Sequence, residues 1–93
     1  MSFNQETATI RAKQDLADRL KVSESDVGVV SVGEKDFPDM SLGAPANGEM
    51  SAQMISSGWE IILSAKADEF KYRADKYQLR LVNYKGTNHI IVS

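Results

Sequence analysis

There is no cysteine in this chain of 93 residues, so disulfides, thiolate metal sites and cysteine nucleophiles are excluded, and nothing calls for an oxidising compartment. Proline is almost as scarce, with only Pro38 and Pro45. The single histidine, His89, is the only imidazole from which a base could be built. No apolar run approaches the roughly 20 residues that a membrane-spanning helix requires, and residues 1–20 are too polar for a secretory leader. A soluble, cytoplasmic protein with no membrane partner is expected. An excess of positive charge is missing too. The net charge is −2, whereas neutralising phosphates needs a basic face, so no nucleic-acid partner is expected.

What charge there is lies unevenly. Glu24, Asp26, Glu34, Asp36, Asp39 and Glu49 face one base, Lys35, in the stretch they span. From residue 51 onward six bases outnumber four acids. No block of like charge is long enough to be a tail. Ninety-three residues suit one domain, 1–93, which buries roughly 60–65% of its unfolded surface, enough for a core without disulfides or a structural metal.

Residues 5–21 repeat small and apolar side chains at Ala8, Ala12, Leu16 and Leu20, with most charges on other faces, which predicts an amphipathic helix. Asn4 suits its N-cap and Glu6 its first turn. Ser23-Glu24-Ser25-Asp26 has the form of a capping box and predicts one short helical turn. A valine-rich run over about 27–37 predicts the first strand, and Pro38 stops it. Residues 38–57 show no sustained period, apart from a short strand possible at Gln53-Met54-Ile55. A loop this long in a small domain has either a function or packing of its own.

Parity organises the rest. A tight turn at Ala67-Asp68 sets Trp59, Ile61, Leu63 and Ala65 on one face with Phe70, Tyr72 and Ala74, and brings Lys66 opposite Glu69. A turn at Asp75-Lys76 continues that face through Tyr77, Leu79 and Leu81, and a turn within Lys85–Asn88 returns Ile90 and Val92 to it. Strands are thus expected at about 59–66, 69–74, 77–84 and 89–92. Because a one-residue slip turns a whole strand inside out, three hairpins agreeing on one buried face support a meander. The expected fold is α+β: one N-terminal helix packed on a single antiparallel sheet of four or five strands, an αββββ meander.

The helix covers one face and leaves the other to water. Most outer positions are polar, but Ile62, Val82, Tyr84 and Ile91 are read as outward neighbours that form an apolar patch, covered by the loop or a chain end, or free to bind a partner. Met40, Leu42 and Met50 are the loop residues placed with them as candidate interaction residues, since methionine adapts to varied partners as readily as it fills gaps.

Phe37-Pro38-Asp39-x-Ser41-Leu42-Gly43-x-Pro45, followed by Gly58-Trp59-Glu60-Ile61-Ile62-Leu63 and Glu69-Phe70-Lys71-Tyr72-Arg73-Ala74-Asp75, resembles small uncharacterised bacterial domains with an aromatic-Pro-Asp-x-Ser-Leu-Gly-Cys-Pro motif. The resemblance spans roughly residues 8–82 and includes a strand like Val30-Ser31-Val32 after an N-terminal helix. It implies no activity. This chain has Ala44 where the relatives often carry cysteine, and a strand-like extension from Tyr84 to Ser93; many relatives look exported.

Chemistry finds little support. Ser41 near Asp39 has no base beside it in sequence, and His89 lies in the last predicted strand. Asp36, Asp39 and Glu49 fit no calcium loop, and solvated turn carboxylates, with Asp39 bonding local amides, are the simpler reading. Gly43–Gly48 lacks the phosphate-loop pattern. Trp59, Tyr72 and Tyr77 read as core rather than as a stacking platform. No enzyme, metal or cofactor is expected. The expected function is a non-catalytic protein-interaction module, bound to an unknown protein partner or to itself as a homodimer. The alternative is a small-ligand or peptide-binding domain with its site at the 37–57 loop, lined by Met40, Leu42, Met50 and Trp59.

Overall fold

A computed structural model describes residues 2–93. Helix α1 (Gln5–Leu20) is followed by a 3-10 turn (Glu24–Asp26) and strands β1 (Gly28–Phe37), β2 (Ser56–Ala65), β3 (Asp68–Ala74), β4 (Leu79–Tyr84) and β5 (Thr87–Val92). The strands form one antiparallel sheet in chain order, so the α+β meander is the fold. No helix among the described residues is long and apolar enough to cross a membrane.

The helix begins where the sequence signals it. The Asn4 side chain accepts from the Thr7 amide while the Thr7 hydroxyl side chain accepts from the Asn4 amide, a reciprocal capping box. Lys21 ends it in the left-handed region, φ 56°, with its N–H on the Ala17 carbonyl. Ala8, Ala12, Leu16 and Ala17 are buried against Ile61, Leu63, Tyr72, Leu79 and Leu81 of the sheet. Small residues on the helix let it lie close to the strands. The Tyr72 hydroxyl donates to Asp15 at 2.7 Å, and Asp15 also pairs with Arg19 at 2.8 Å, so this fully buried tyrosine reaches a polar partner on the helix. Burial and the neighbouring carboxylate push the Tyr72 hydroxyl far above its ordinary value.

The inner face is the expected one through β3, but the turns sit elsewhere. Ala65 pairs with Asp68, so the first tight turn is Lys66-Ala67, both with positive φ (50° and 65°), and Glu69 lies opposite Ser64 rather than Lys66. The displacement is two residues in register, which preserves parity. Two consecutive positive φ values mark the turn type whose twist suits a hairpin and which asparagine and glycine fill without strain. The double substitution Lys66→Asn with Ala67→Gly is therefore expected to stabilise the fold by about 1 kcal/mol, raising Tm by about 4–8 °C in a calorimetric scan.

The second turn is longer than expected. Ala74 pairs with Leu79, which makes Asp75–Gln78 the loop and leaves Tyr77 exposed in it, not on the inner face. Asp75 holds this loop, accepting from the Tyr77 and Gln78 amides and from Ser56 Oγ. β4 starts at Leu79 as a consequence, and residues 53–55 form no strand, although β2 starts at Ser56, before the expected Trp59.

The last hairpin breaks the parity rule. Its turn, Lys85-Gly86, falls in the expected segment, but the β4–β5 register shifts between Leu79 and Arg80 and again between Leu81 and Tyr84. Asn83 takes φ 52° at the second shift. Each extra residue reverses the side-chain alternation beyond it. Tyr84 and Ile91 therefore pack on the helix-side core, contrary to their expected outward placement, while Ile90 pairs with Arg80 and is exposed.

Candidate functional site

The outer face is where the structure departs most from the expected open sheet. Residues 38–49 fold back over it as a strap. Ser41, Leu42 and Ala44 are fully buried, as is Phe37 at its root. Two φ values explain the tight path: Leu42 at 59° and Gly43 at 65° reverse the chain so that the Leu42 side chain is enclosed. Asp39 organises the bend by accepting from the Ser41 amide, the Ser41 hydroxyl at 2.6 Å and the Gly43 amide. Those donors, the Ser41 hydroxyl foremost, hold the Asp39 carboxyl below its ordinary value. Ser41 is thus committed to the turn, and Asp39 does what a turn aspartate does.

The sheet grips this strap with arginines. Arg73 and Arg80 are directly paired across β3 and β4, an arrangement that like charge alone would disfavour. The strap and a neighbouring strand supply what they need. Arg73 donates to the carbonyls of Leu42 and Gly43, stacks over Phe37 at 5.4 Å and pairs with Glu60 at 3.3 Å. Arg80, 3% exposed, donates to the Ala44 carbonyl and makes a two-pronged pair with Glu49, with Nη2 to Oε2 at 2.7 Å. Planar guanidinium and carboxylate match in that geometry. Gln78 adds a bond to the Met40 carbonyl and Asn88 one to the Pro45 carbonyl. Every buried side-chain nitrogen and oxygen among the described residues has a partner.

The Arg80 guanidinium also lowers the Glu49 carboxyl from its ordinary 4.5. A carboxyl whose folded-state value is depressed contributes stability that is present above the unfolded-state value and lost as pH falls through the folded one. Asp39 acts in the same direction. Acidification from pH 5 through pH 3 is expected to loosen the strap. Amide protection factors at residues 38–49, referred to the intrinsic exchange rate at each pH and followed by NMR, should fall over that range before those of the α1 amides do; Glu49→Gln should flatten the dependence. Synchronous exchange of strap and helix would contradict a separately clamped strap.

The sequence-selected residues separate into distinct places. Leu42 is an anchor inside the strap, and Met40 and Met50 lie at its ends, 39% and 95% exposed. Ile62 and Val82 both pair with Lys71 and are half-buried on the outer face; Tyr84 and Ile91 are not there, so the four-residue outer patch does not form. Trp59 packs on the helix side, so it shares no pocket with Leu42. His89 lies edge-on to Tyr84 with its Nε2 near the Thr87 hydroxyl. Asp36 accepts from Ser57, Asp39 serves the turn and Glu49 serves Arg80, so these three carboxylates do not converge.

A different apolar surface is present. Met40, Met50, Met54, Ile55 and Tyr77 are all exposed. The Met40 amide donates to the Ala52 carbonyl, and the Met40 carbonyl is held by Gln78, next to Tyr77. Ile55 adjoins Ser56, whose hydroxyl bonds Asp75 in the same loop as Tyr77. These bonds bring Met40, Met54, Ile55 and Tyr77 to one end of the sheet. Met54 was weighed from the sequence with Met40 and Met50; Ile55 and Tyr77 were not read as exposed, yet a signal existed for the loop: no charged residue lies between Glu49 and Glu60.

A family model described as Domain of unknown function (DUF8738) matches residues 9–82. The chain belongs to that family. The matched region of this DUF8738 domain takes in most of α1, β1, the strap, β2, β3 and β4 as far as Val82, so the clamp and its loop lie inside the family unit. The β4–β5 turn and β5 lie outside the match. No match to a curated protein or to a solved structure was found.

Proposed function

We propose that this DUF8738 domain is a non-catalytic protein-interaction module, of bacterial and cytoplasmic origin, whose docking surface is the methionine-rich end of the sheet. The observation that carries this reading is the exposure of four large apolar side chains there: Ile55 76%, Tyr77 73%, Met54 63% and Met40 39%. Exposed apolar surface costs solubility and is retained where a partner covers it. Flexible methionines beside a tyrosine suit such a role, because thioether chains repack against different shapes and tyrosine carries large contact area with one polar atom. The partner is a protein rather than a nucleic acid, in keeping with the net charge of −2 and the commitment of Arg73 and Arg80 to the strap.

The absence of an enzymatic role is part of the proposal. Ser41, Asp39 and Glu49, the polar residues nearest to a constellation, are all consumed in holding the loop. A ligand site between loop and sheet is the weaker alternative, because the space beneath the strap is filled by Leu42 and Ala44.

A photo-crosslinking amino acid at position 54 or 77 is expected to trap one defined protein, or a second copy of the chain, in cells. The same group at Glu24 should not. Met54→Glu with Ile55→Glu should abolish the adduct and leave stability within about 0.5 kcal/mol, since both sites are exposed. Equal trapping from all three positions would overturn the assignment. Light scattering over a concentration series then separates homodimer from foreign partner.

A further inference from the structure

The sheet order leaves β1 with an unpaired side over ten residues, all of them exposed except Val32 and Phe37. Natural proteins guard such an edge with proline, bulges or inward charge, since its free amides and carbonyls are a template for another strand. β1 carries two such guards: the charges of Glu34 and Asp36 on the face of Trp59, and one bulge, between Val29 and Ser31. Beyond it the register with β2 runs unbroken from Ser31↔Ile62 to Phe37↔Ser56, seven residues with no proline among them. The opposite edge, β5, is shorter and interrupted twice. The usable edge is therefore the second half of β1.

Side chains along that stretch define what fits. Glu34 and Asp36 are two residues apart and so share a face, the one that carries Trp59, which pairs with Glu34. They line an open cleft of about 330 Å3 with Lys35, Ser57, Gly58, Trp59 and Lys76. Lys35 points to the other face and is engaged by Glu60 at 3.4 Å. Neither Glu34 nor Asp36 has an ion-pair partner among the described residues; Asp36 accepts only the Ser57 hydroxyl. A free ladder, two unpaired carboxylates on one face and an indole beside them complement a strand with cationic side chains at alternate positions.

We propose that the edge from Ser31 to Phe37 receives an extended basic peptide segment of a partner protein as a sixth strand. Backbone bonds supply the affinity and the Glu34 and Asp36 carboxylates choose the charge, the division of labour usual in strand addition. Lys or Arg stems would lie along Trp59, where a cation gains from the ring face. The site is separate from the methionine-rich end, and its test can succeed or fail independently of that surface.

The probe is the blocked heptapeptide Thr-Lys-Val-Lys-Val-Lys-Thr, titrated into 15N-labelled protein. Amide shifts and slowed exchange are expected along residues 31–37. Replacing the three lysines by glutamate should weaken binding about tenfold or more, and Glu34→Lys with Asp36→Lys should reverse that preference. N-methylating alternate peptide amides on the pairing side should abolish binding. No change at residues 31–37 at millimolar peptide would overturn the proposal. So would equal binding of the lysine and glutamate peptides, or shifts confined to residues 40 and 50–55. Concentration-dependent protection of β1 without peptide, together with doubled molar mass, would mean that a second copy occupies the edge, and would also overturn it.

Discussion

Gly58→Ala is expected to destabilise the domain by about 3 kcal/mol or more, lowering Tm by about 12–20 °C. A Cβ built at Gly58 stands 2.0 Å from the Ala74 carbonyl oxygen, 3.0 Å from its carbon and 3.1 Å from Asp75 Cα. All three are backbone atoms, so no rotamer change relieves the clash. The backbone there is also held in place: the Asp75 carboxylate caps the β3–β4 loop and is bonded to Ser56, two residues before Gly58. Gly58 lies between Ser57, opposite Asp36, and Trp59, opposite Ala74, so movement would pull on three strands. Gly33→Ala is the control, since nothing lies within 4 Å of where its Cβ would stand and its φ is not left-handed. Urea unfolding of the two variants checks the contrast. A Gly58→Ala loss below about 1 kcal/mol would show that the close approach is not rigid.

Leu42→Ala should cost about 2–4 kcal/mol, whereas Met50→Ala should fall within about 0.5 kcal/mol. Both were selected from the sequence as candidate interaction residues, and the structure gives them opposite environments, fully buried and 95% exposed. Leu42 adopts φ 59°, which costs a branched L residue about 1–2 kcal/mol, so burial of its side chain must more than offset that strain. Truncation removes the offset and retains most of the strain. Its carbonyl would still meet Arg73, so the strap should stay attached with faster amide exchange at residues 39–44. A cost for Leu42→Ala as small as that for Met50→Ala would deny Leu42 its role as an anchor.

The clamp also accounts for the charge asymmetry along the chain. An acidic middle and a basic C-terminal half meet in the Glu49–Arg80 pair across the outer face. The imbalance was visible in the sequence, but its use was not, because an arginine donating to the carbonyls of Leu42, Gly43 or Ala44 needs no particular side chain there. The aromatic-Pro-Asp-x-Ser-Leu-Gly run has a corresponding physical content. Phe37 seats under Arg73, Asp39 ties the bend and Gly43 takes φ 65° with Arg73 Nη1 about 3.0 Å from where a Cβ would stand.

Helix α1 and the inner face through Leu81 were legible because both rest on periodicity, and the core needs only that the right side chains share a face. Errors of two residues at Lys66-Ala67 and in the Asp75–Gln78 loop left that face intact, since an even shift preserves parity. Local sequence thus determined the element order, the helix caps, the antiparallel meander and most of the helix-side core. Tertiary structure alone decided the rest. The bulges that turned Tyr84 and Ile91 inward depend on how β4 and β5 fit together, the strap depends on arginines reaching backbone that any residue provides, and the exposed methionines are defined by what the folded strap leaves uncovered. Each depends on how one segment meets another, which no periodic pattern within one segment records.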